Sequence, residues 1–292
     1  MNTKIISVVN KKGGVGKSTS VSGIASICAH YGQKVLAIDL DPQTNTTSLF
    51  YPDYTNKNIT GLLNIPEEKM SYHVVKSFIK KTNYENIDII PGDEDLDEEG
   101  DKLLLKNAYV DDNDRIILNK KAQLLLTKAF ELIQDEYNII LIDNTPYFNL
   151  ISKNALSASN CVLIPVQNEG FSYDGLARLL QKIHEVKTDL NNRLEIIGVF
   201  FANVNKQTNL YRQLRKQFGL EVGGKLLKTY IRSDNKAKES ITAFEPLYNF
   251  APTSNVTRDY MMLVHELHLL DAVNHRKLED DILYRNEKKD GN

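Results

Sequence analysis

Asn10-Lys11-Lys12-Gly13-Gly14-Val15-Gly16-Lys17-Ser18-Thr19 is the stretch that decides the fold of this 292-residue chain. It directly follows an apolar, β-rich run at residues 5–9, and residues 18–30 after it carry small and apolar side chains at helical spacing. A glycine-rich turn between a strand and a helix is the context of a phosphate-binding loop, because glycine lets backbone N–H groups turn toward phosphate oxygens. The stretch therefore predicts a phosphate site at the start of the first helix.

The side chains of this loop suit a nucleoside triphosphate with a divalent cation. Lys17 can reach the β- and γ-phosphates, and Thr19 is placed to bond the α-phosphate. The hydroxyl of Ser18 is a hard oxygen ligand of the kind that Mg²⁺ prefers. We expect the backbone of residues 13–16 to contact the phosphates directly, and we assign nucleotide binding to the residues that share this loop: Lys12, Gly13, Gly14, Val15, Gly16, Lys17, Ser18 and Thr19.

The rest of the chain alternates short apolar runs with longer helical patterns. Near-continuous apolar strands are typical of a parallel sheet that is buried on both faces. The sequence therefore predicts an α/β fold: a doubly wound, mostly parallel sheet with helices on both faces. The predicted strands lie at 5–9, 35–38, 87–91, 138–143, 162–166 and 196–201, and the later helices at 121–135, 173–188 and 207–218.

Composition excludes several classes of protein. No stretch approaches the ~18 uncharged apolar residues of a membrane-spanning helix, and the first residues lack the pattern of a signal peptide. Two cysteines, Cys28 and Cys161, are too few for a disulfide framework or a four-cysteine metal site. We therefore expect a cytoplasmic protein. The formal net charge of −2 by itself argues against a nucleic-acid-binding protein, which usually has a basic excess.

Carboxylates follow two of the predicted strands. Asp39 and Asp41 come at the end of the second strand, and Asp143 closes the fourth. Phosphoryl transfer depends on positioning and charge neutralisation, and carboxylates at the edge of a phosphate site can hold Mg²⁺ or orient an attacking water. We expect Ser18, Asp39 and Asp143 at the metal.

The loop departs from the usual phosphate-loop pattern, because Lys11 stands at its first glycine position and Lys12 precedes the two glycines. This Lys-Gly-Gly-x-Gly-Lys-Ser form resembles the deviant Walker A loop of the ParA/MinD superfamily of P-loop ATPases. The resemblance, which spans about residues 3–250, implies ATP and Mg²⁺ as cofactors. It also implies that Lys12 reaches across a homodimer interface to the partner's γ-phosphate, which makes Lys12 a catalytic residue together with Lys17.

Later motifs extend the resemblance. Asp39-Leu40-Asp41-Pro42-Gln43 resembles the family's switch I, which implies that Asp41 positions or activates the hydrolytic water. Asp143 matches the aspartate of the family's Walker B motif. The family usually continues with Thr or Cys and then two prolines, whereas this chain has Asn144 and Thr145, and only Pro146 matches. The segment Pro165-Val166-Gln167 with Glu169 is also similar, and Asn203 is our candidate adenine contact. The run Ile231-Arg232-Ser233-Asp234 corresponds to the Ile-Pro-Arg-Asn that the family often has near the base, but it lacks the proline.

The charge is distributed unevenly, which bears on the partner. Residues 203–238 hold nine basic and two acidic residues, whereas residues 85–115 hold twelve acidic and three basic ones. A basic segment can bind phosphate backbones without reading sequence, although the same lysines could line a solvated helix face. With the resemblance, we expect non-specific DNA binding through Arg212, Arg215, Lys236 and Lys238.

The resemblance therefore implies a ParA-type DNA partition ATPase. ATP would induce a homodimer that binds DNA and the nucleoid, and a ParB-like centromere-binding protein would stimulate slow hydrolysis. The alternative is a MinD-like membrane-recruited regulator, which needs a basic amphipathic C-terminal helix. Residues 280–289 have only a short apolar patch, so we expect no membrane binding. An enzyme of the related ligase group would need a further substrate site, for which the sequence has no motif.

The chain divides into an ATPase domain and a tail. We assign residues 1–275 to the domain, with an acidic insertion at about 92–115, and residues 276–292 to a charged C-terminal tail.

Overall fold

A seven-stranded sheet forms the centre of the molecule in the computed structural model, which describes residues 3–53, 55–98, 100, 102, 108–110, 116–118, 120–167 and 173–290. Its order is β3-β4-β2-β7-β1-β8-β9, and every neighbouring pair is parallel except β3 with β4. The strands are β1 Lys4–Val8, β2 Val35–Leu40, β3 Lys80–Lys81, β4 Ile87–Ile90, β7 Ile139–Asn144, β8 Cys161–Val166 and β9 Glu195–Phe201; β5 Ala108–Val110 and β6 Ile116–Leu118 form a separate hairpin.

Helices cover both faces of this sheet. In chain order among the described residues they are α1 Lys17–His30, α2 Asn45–Phe50, α3 Ile59–Leu63, α4 Tyr72–Phe78, α5 Leu125–Glu131, α6 Leu150–Ala158, α7 Tyr173–Asp189, α8 Asn209–Val222, α9 Asn235–Thr242, α10 Leu247–Phe250, α11 Asn255–Glu266 and α12 Ala272–Asp290. Short 3-10 turns lie at Glu67–Lys69, Lys120–Gln123, Gln134–Glu136 and Gly223–Lys225. The predicted doubly wound α/β fold is confirmed.

Alternation along the strands assigns their side chains to opposite layers. In β1, Ile6 and Val8 pack with α1 and α11, whereas Ile5 packs with the layer that contains α3 to α6. A third cluster joins β8 and β9 to α7 and α8. Burial on both faces explains why the strands are apolar at nearly every position, as the sequence suggested.

The carboxyl ends of β1, β2, β7, β8 and β9 meet at one edge of the sheet, because these strands run parallel. Strand order reverses at β1, since the chain moves to one side for β2 and to the other for β8. In open α/β sheets this edge is where ligands bind. The topology therefore brings together segments that are far apart in the sequence.

The structure adds elements that the periodicity did not indicate. The chain between β2 and β4 forms α2, α3, α4 and the antiparallel edge strand β3. The helical pattern at 121–135 is α5 flanked by 3-10 turns. The predicted acidic insertion at 92–115 lies partly outside the described residues; within it, Leu96 is buried in the core and β5 pairs with β6.

The last helix, α12, packs onto the domain. Its Leu278 is fully buried in the cluster that contains α1 and α11. Tyr31, which directly follows α1, donates a hydrogen bond to Asp281, and Arg285 donates one to the carbonyl of Pro252. The boundary that we drew at residue 275 falls inside this helix. In the part of the chain that the structure describes, no helix is both long and apolar enough to cross a membrane.

Candidate functional site

The loop after β1 has the backbone conformation that its glycines suggest. Gly14 and Gly16 have positive φ values of 73° and 88°, which residues with a side chain rarely adopt. Asn10 connects the loop to β8, because its Oδ1 accepts a hydrogen bond from the backbone N–H of Lys12 and its Nδ2 donates one to the carbonyl of Pro165. Gln167 donates to the carbonyl of Gly14 at 2.7 Å. The loop is thus attached to the ends of both β1 and β8.

Lys17 and Asp41 face each other at the start of α1. The Nζ of Lys17 lies 3.8 Å from Oδ2 of Asp41, and both side chains are largely buried. The other oxygen of Asp41 accepts from the backbone N–H of Gln43. Lys17 is only 5% exposed, and Asp41 holds its ammonium group in place. The ammonium group is therefore preorganised to bind a further negative group, such as a phosphate.

Asp39 and Asp143 form a buried pair of carboxylates. They are register partners on β2 and β7 and are fully buried. Asp39 accepts hydrogen bonds from the backbone and hydroxyl of Thr47, and Asp143 accepts one from the hydroxyl of Thr46 at 2.8 Å. Burial raises the pKa of Asp39, and the charge of Asp143 raises it further. Burial also raises the pKa of Asp143, which nearby Lys17 partly offsets.

This pair has the oxygen chemistry that Mg²⁺ requires. Oδ1 of Asp143 is buried and has no hydrogen-bond partner in the described structure. The hydroxyl of Ser18 lies close enough to Asp143 to lower its pKa. Mg²⁺ is usually bound by one or two protein oxygens plus substrate phosphates and waters, rather than by an all-protein cage. Ser18 and Asp143 therefore fit the ion. Asp39, the third residue that we expect at the metal, fits it less well, because both of its oxygens already accept hydrogen bonds from Thr47 or Asp41.

A cleft of about 350 Å³ opens above these residues. Its floor is the phosphate loop, with Asp41 and Gln43 on one side. Its opposite wall is formed by residues that follow β9, by the segment that precedes α9, and by α9 and α11. This wall combines apolar and polar side chains: Ala202, Asn203, Ile231, Arg232, Asp234, Ala237, Lys238, Ile241 and Tyr260. The volume and the lining are those of a small-molecule site.

Asn203 lies on this wall, where our adenine prediction needs it. It has a positive φ of 53°, which asparagine tolerates better than most residues. Ile231 next to it is held by β9, since its backbone N–H donates to the carbonyl of Phe201. The wall is therefore a defined surface, and at Ala202 it lies against Gly16 of the phosphate loop. The contact between Asn203 and adenine stays a prediction.

The four residues that we predicted to bind DNA have different surroundings. Arg212 is exposed on α8, whereas Arg215 donates to the carbonyl of Leu227 at 3.0 Å. Lys236 is exposed and pairs with Glu239. Lys238 lies at the edge of the cleft itself. Among the four, Arg212 and Lys236 therefore combine exposure with a position outside the cleft.

Several residues of the site were not identified from the sequence. Thr46 and Thr47 follow the switch I motif directly, so their proximity in sequence was an available signal. Asp259 forms an ion pair at the wall of the cleft with Arg232 of the run 231–234, and no local sequence pattern identified Asp259. Asn144, which departs from the family motif, is fully buried and donates to the carbonyls of Val8 and Ile142. Glu169 lies outside the described residues.

Known proteins resemble this chain over most of its length. A family model described as an AAA domain matches residues 3–196. The sporulation initiation inhibitor protein Soj of Bacillus subtilis is 30% identical over 270 residues, which cover 90% of this chain and 98% of Soj. The chromosome-partitioning ATPase Soj of Treponema pallidum is 31% identical over 264 residues, with 90% and 96% covered.

Solved structures share the fold. A putative plasmid partition protein from Borrelia burgdorferi, bound to AMPPNP, superposes with a TM-score of 0.66 at 23% identity and covers 98% of this chain and 99% of its own. Cobyrinic acid a,c-diamide synthase from Mycobacterium smegmatis, with bound ADP and magnesium, gives a TM-score of 0.67 at 21% identity, with 90% and 95% covered. At these identities the likeness concerns the fold.

Proposed function

Because this chain belongs to the ParA-type P-loop ATPases, we propose that it partitions DNA by an ATP-dependent cycle of dimerisation. It is an ATPase. In the proposed cycle, Mg²⁺ and ATP occupy the cleft and join two copies of the chain face to face. The dimer binds DNA without sequence preference, and a centromere-binding partner protein stimulates hydrolysis and thereby releases it.

The observation that carries this proposal is the phosphate loop with its two lysines. Lys17 is buried beside Asp41, in position for the phosphates of a nucleotide in the same subunit. Lys12 precedes the glycines, and its backbone is held by Asn10. In the family this second lysine acts across the dimer interface, which makes nucleotide binding and dimerisation one event.

The chemistry follows from what each side chain can do. Lys17 neutralises charge on the phosphates, and backbone N–H groups of residues 13–16 hold them in place. Asp41 orients the attacking water, since it reaches the same space as Lys17. Ser18 and Asp143 would hold Mg²⁺, which would neutralise charge on the phosphates. Asp39 supports the segment after β2 through the backbone N–H of Asp41.

Charge supports DNA as the ligand of the dimer. The segment 203–238 carries nine basic and two acidic residues. The exposed members Arg212 and Lys236 lie outside the cleft, on α8 and α9. Neutralising phosphates in this way releases counterions, so the affinity should fall steeply with salt and not depend on base sequence.

The test measures mass and DNA retention in the same samples. With a slowly hydrolysed ATP analogue and Mg²⁺, light scattering should show a dimer that retains plain DNA, and without nucleotide it should show a monomer that does not. The double variant R212A/K236A should dimerise normally and lose DNA, whereas R276A/K277A, which removes two exposed cations from α12, should behave as wild type.

Two outcomes would overturn the proposal. DNA retention that is unchanged by nucleotide, or absent at low salt, contradicts a partition ATPase. Nucleotide-dependent binding to anionic liposomes in place of DNA would favour the MinD-like alternative.

A further inference from the structure

A buried tyrosine connects the C-terminal part of the chain to the phosphate loop. Tyr260 belongs to α11 and is 1% exposed. Its ring packs closely on α1, because the first carbon of a side chain at Gly23 would lie only 3.0 Å from it. The hydroxyl oxygen of Tyr260 lies 3.2 Å from that of Ser20, which is also fully buried. A buried tyrosine hydroxyl usually needs such a partner, so this contact helps to attach α11 to α1.

The direction of these hydrogen bonds follows from the number of protons. Ser20 has one hydroxyl proton, which it donates to the carbonyl oxygen of Gly16 at 2.6 Å. The hydroxyl of Tyr260 is therefore the donor in its contact with Ser20. A chain of two hydrogen bonds thus runs from Tyr260 through Ser20 to the carbonyl of Gly16. The backbone N–H of Ser20 donates to the same carbonyl at 2.9 Å, so two donors hold it.

The carbonyl of Gly16 is important because its peptide unit belongs to the phosphate loop. A trans peptide is planar, and its C=O and N–H groups point in opposite directions. The carbonyl of Gly16 points along α1 toward Ser20, so the N–H of Lys17 in the same unit points out of the helix N-terminus. Backbone N–H groups at this end of a helix are the ones that bind phosphate. Whatever fixes the carbonyl therefore also fixes the direction of that N–H.

Gly16 needs this support from outside the loop. It has a φ of 88°, and a glycine restricts its own backbone less than any other residue. It is also the N-cap of α1, where a glycine has no side chain that could cap the helix. Gly16 and Tyr260 both line the cleft, so the chain of hydrogen bonds begins and ends at the surface of the candidate nucleotide site.

We propose that Tyr260 is a positioning residue for ATP binding, and that it fixes the peptide unit between Gly16 and Lys17 through the hydroxyl of Ser20. The inference rests on the proposed binding of ATP at the phosphate loop. It assigns a part in phosphate affinity to α11, although Tyr260 lies 240 residues after Ser20 in the sequence. Because Tyr260 acts through the loop backbone, its loss should weaken contacts to the triphosphate and not to the base.

The test compares two ligands, each with Mg²⁺: a slowly hydrolysed ATP analogue and inorganic tripolyphosphate, which has neither base nor ribose. Y260F keeps the aromatic ring in the core and removes the hydroxyl. The dissociation constants of both ligands should rise by the same factor, about two- to ten-fold, as expected for one neutral hydrogen bond. S20A should also raise both constants. The double variant Y260F/S20A should bind no more weakly than S20A, because S20A already interrupts the chain.

A matched control is available in the same helix. Ser26 is also buried in α1, and its hydroxyl donates to the carbonyl of Ser22, four residues earlier, at 2.8 Å. This bond repeats the one between Ser20 and Gly16, but it lies away from the phosphate loop. S26A should therefore leave both dissociation constants at their wild-type values. Urea denaturation of the nucleotide-free variants shows whether a change in affinity accompanies a change in unfolding free energy.

The outcomes distinguish this inference from the function on which it rests. A loss in Y260F for the ATP analogue alone would indicate a contact with the nucleoside and overturn the inference. Unchanged constants in Y260F, equal losses in S26A, or a further loss in Y260F/S20A beyond that of S20A would also overturn it. If the ATP analogue binds equally well to wild type and K17A, ATP does not occupy the phosphate loop and the proposed function fails. If binding needs Lys17 but not the hydroxyl of Tyr260, only this inference fails.

Discussion

At the scale of single residues, the two lysines of the phosphate loop have separate environments. Lys17 is buried against Asp41, and Lys12 is half-buried before the first glycine. Lys11 next to it is exposed. Because Lys11 and Lys12 are adjacent but differ in burial, a substitution of Lys11 can serve as the control for a substitution of Lys12.

Replacing Lys12 by alanine should abolish ATP-dependent dimerisation and lower the hydrolysis rate to background. The reason is that the charge it brings to the partner's γ-phosphate is lost, while the phosphate loop of its own subunit stays intact. Light scattering and phosphate release measure the two effects. K11A should behave as wild type, and a dimer of normal stability in K12A would contradict the role of Lys12.

Replacing Asp41 by alanine should separate binding from hydrolysis. The carboxylate is expected to orient the attacking water, a contribution that for general bases is typically about 10²- to 10⁴-fold in rate. Lys17 and the loop backbone remain, so the variant should still form ATP-dependent dimers that hydrolyse slowly. Single-turnover phosphate release is the measurement, and a normal turnover rate in D41A would refute this role.

At the scale of elements, the end of β7 shows how one strand supports the site. Asp143 and Asn144 are adjacent, buried residues that point to opposite faces of the sheet. The side-chain amide of Asn144 donates to the carbonyl of Val8 in β1 at 3.3 Å, which connects Walker B to the strand before the phosphate loop. Asn149 then begins α6, with its Oδ1 accepting from the backbone of Ile151 and Ser152.

The same chemical change at these two asparagines should have different effects. N144D removes two donated hydrogen bonds and buries a further carboxylate near Asp143, so we expect unfolding free energy to fall by about 3 kcal/mol. N149D keeps the capping acceptor and places a negative charge at a helix N-terminus, so the change should stay within about 0.5 kcal/mol. Urea denaturation at pH 7 measures both. Equal losses in the two variants would contradict this account.

At the scale of the whole molecule, α12 closes one layer against α11 and α1. Three histidines stack where α11 ends and α12 begins: the ring centroids of His265 and His275 are 4.2 Å apart, and those of His268 and His275 are 4.9 Å apart. Lys4 of β1 donates to the carbonyl of His268. Positive charges therefore approach one another at this junction when the histidines are protonated.

Acid should weaken the attachment of α12 through this cluster. Burial lowers the pKa of His275, and His265, His268 and Lys4 lower it further, against an opposing effect of Glu279. A histidine whose pKa is lower in the folded state stabilises the fold above its unfolded pKa of about 6.5, and this contribution is lost as the pH falls through the folded value. Unfolding free energy should therefore decrease more steeply from pH 7 to pH 5 in wild type than in H275Q.

The comparison with H275Q is needed because other groups act in the opposite sense. The pKa values of Asp39 and Asp143 are raised in the folded state, so their contribution to stability is lost as the pH rises. Wild type and H275Q both contain these two carboxylates, so their contributions cancel when the two pH profiles are subtracted. Parallel pH profiles for wild type and H275Q would contradict a role of the cluster.

The charge of the whole molecule also has a different meaning from the one that the total suggests. The sum of −2 combines a strongly acidic segment at 85–115 with the basic segment at 203–238. A protein of near-neutral total charge can therefore still present a basic surface to DNA, and the net charge alone does not exclude nucleic-acid binding.

The sequence by itself determined the features that depend on local spacing. The phosphate loop was recognisable because strand, glycines and helix follow one another, and Gly14 and Gly16 have the positive φ values that their lack of a side chain allows. The apolar strands were recognisable because burial on both faces leaves few polar positions. The pairing of Asp39 with Asp143 was harder to predict from the sequence, because each residue only marked the end of its own strand.

Tertiary structure alone decided which distant residues share the cleft. Arg232 and Asp259 meet because the segment that is hydrogen-bonded to the end of β9 lies beside α11, and no sequence pattern links the two residues. Lys238, which we had grouped with the DNA-binding cations, lies at the cleft for the same reason. The physical cause is that local spacing constrains dihedral angles and burial, whereas contacts between distant segments depend on strand order and on how helices pack across the sheet.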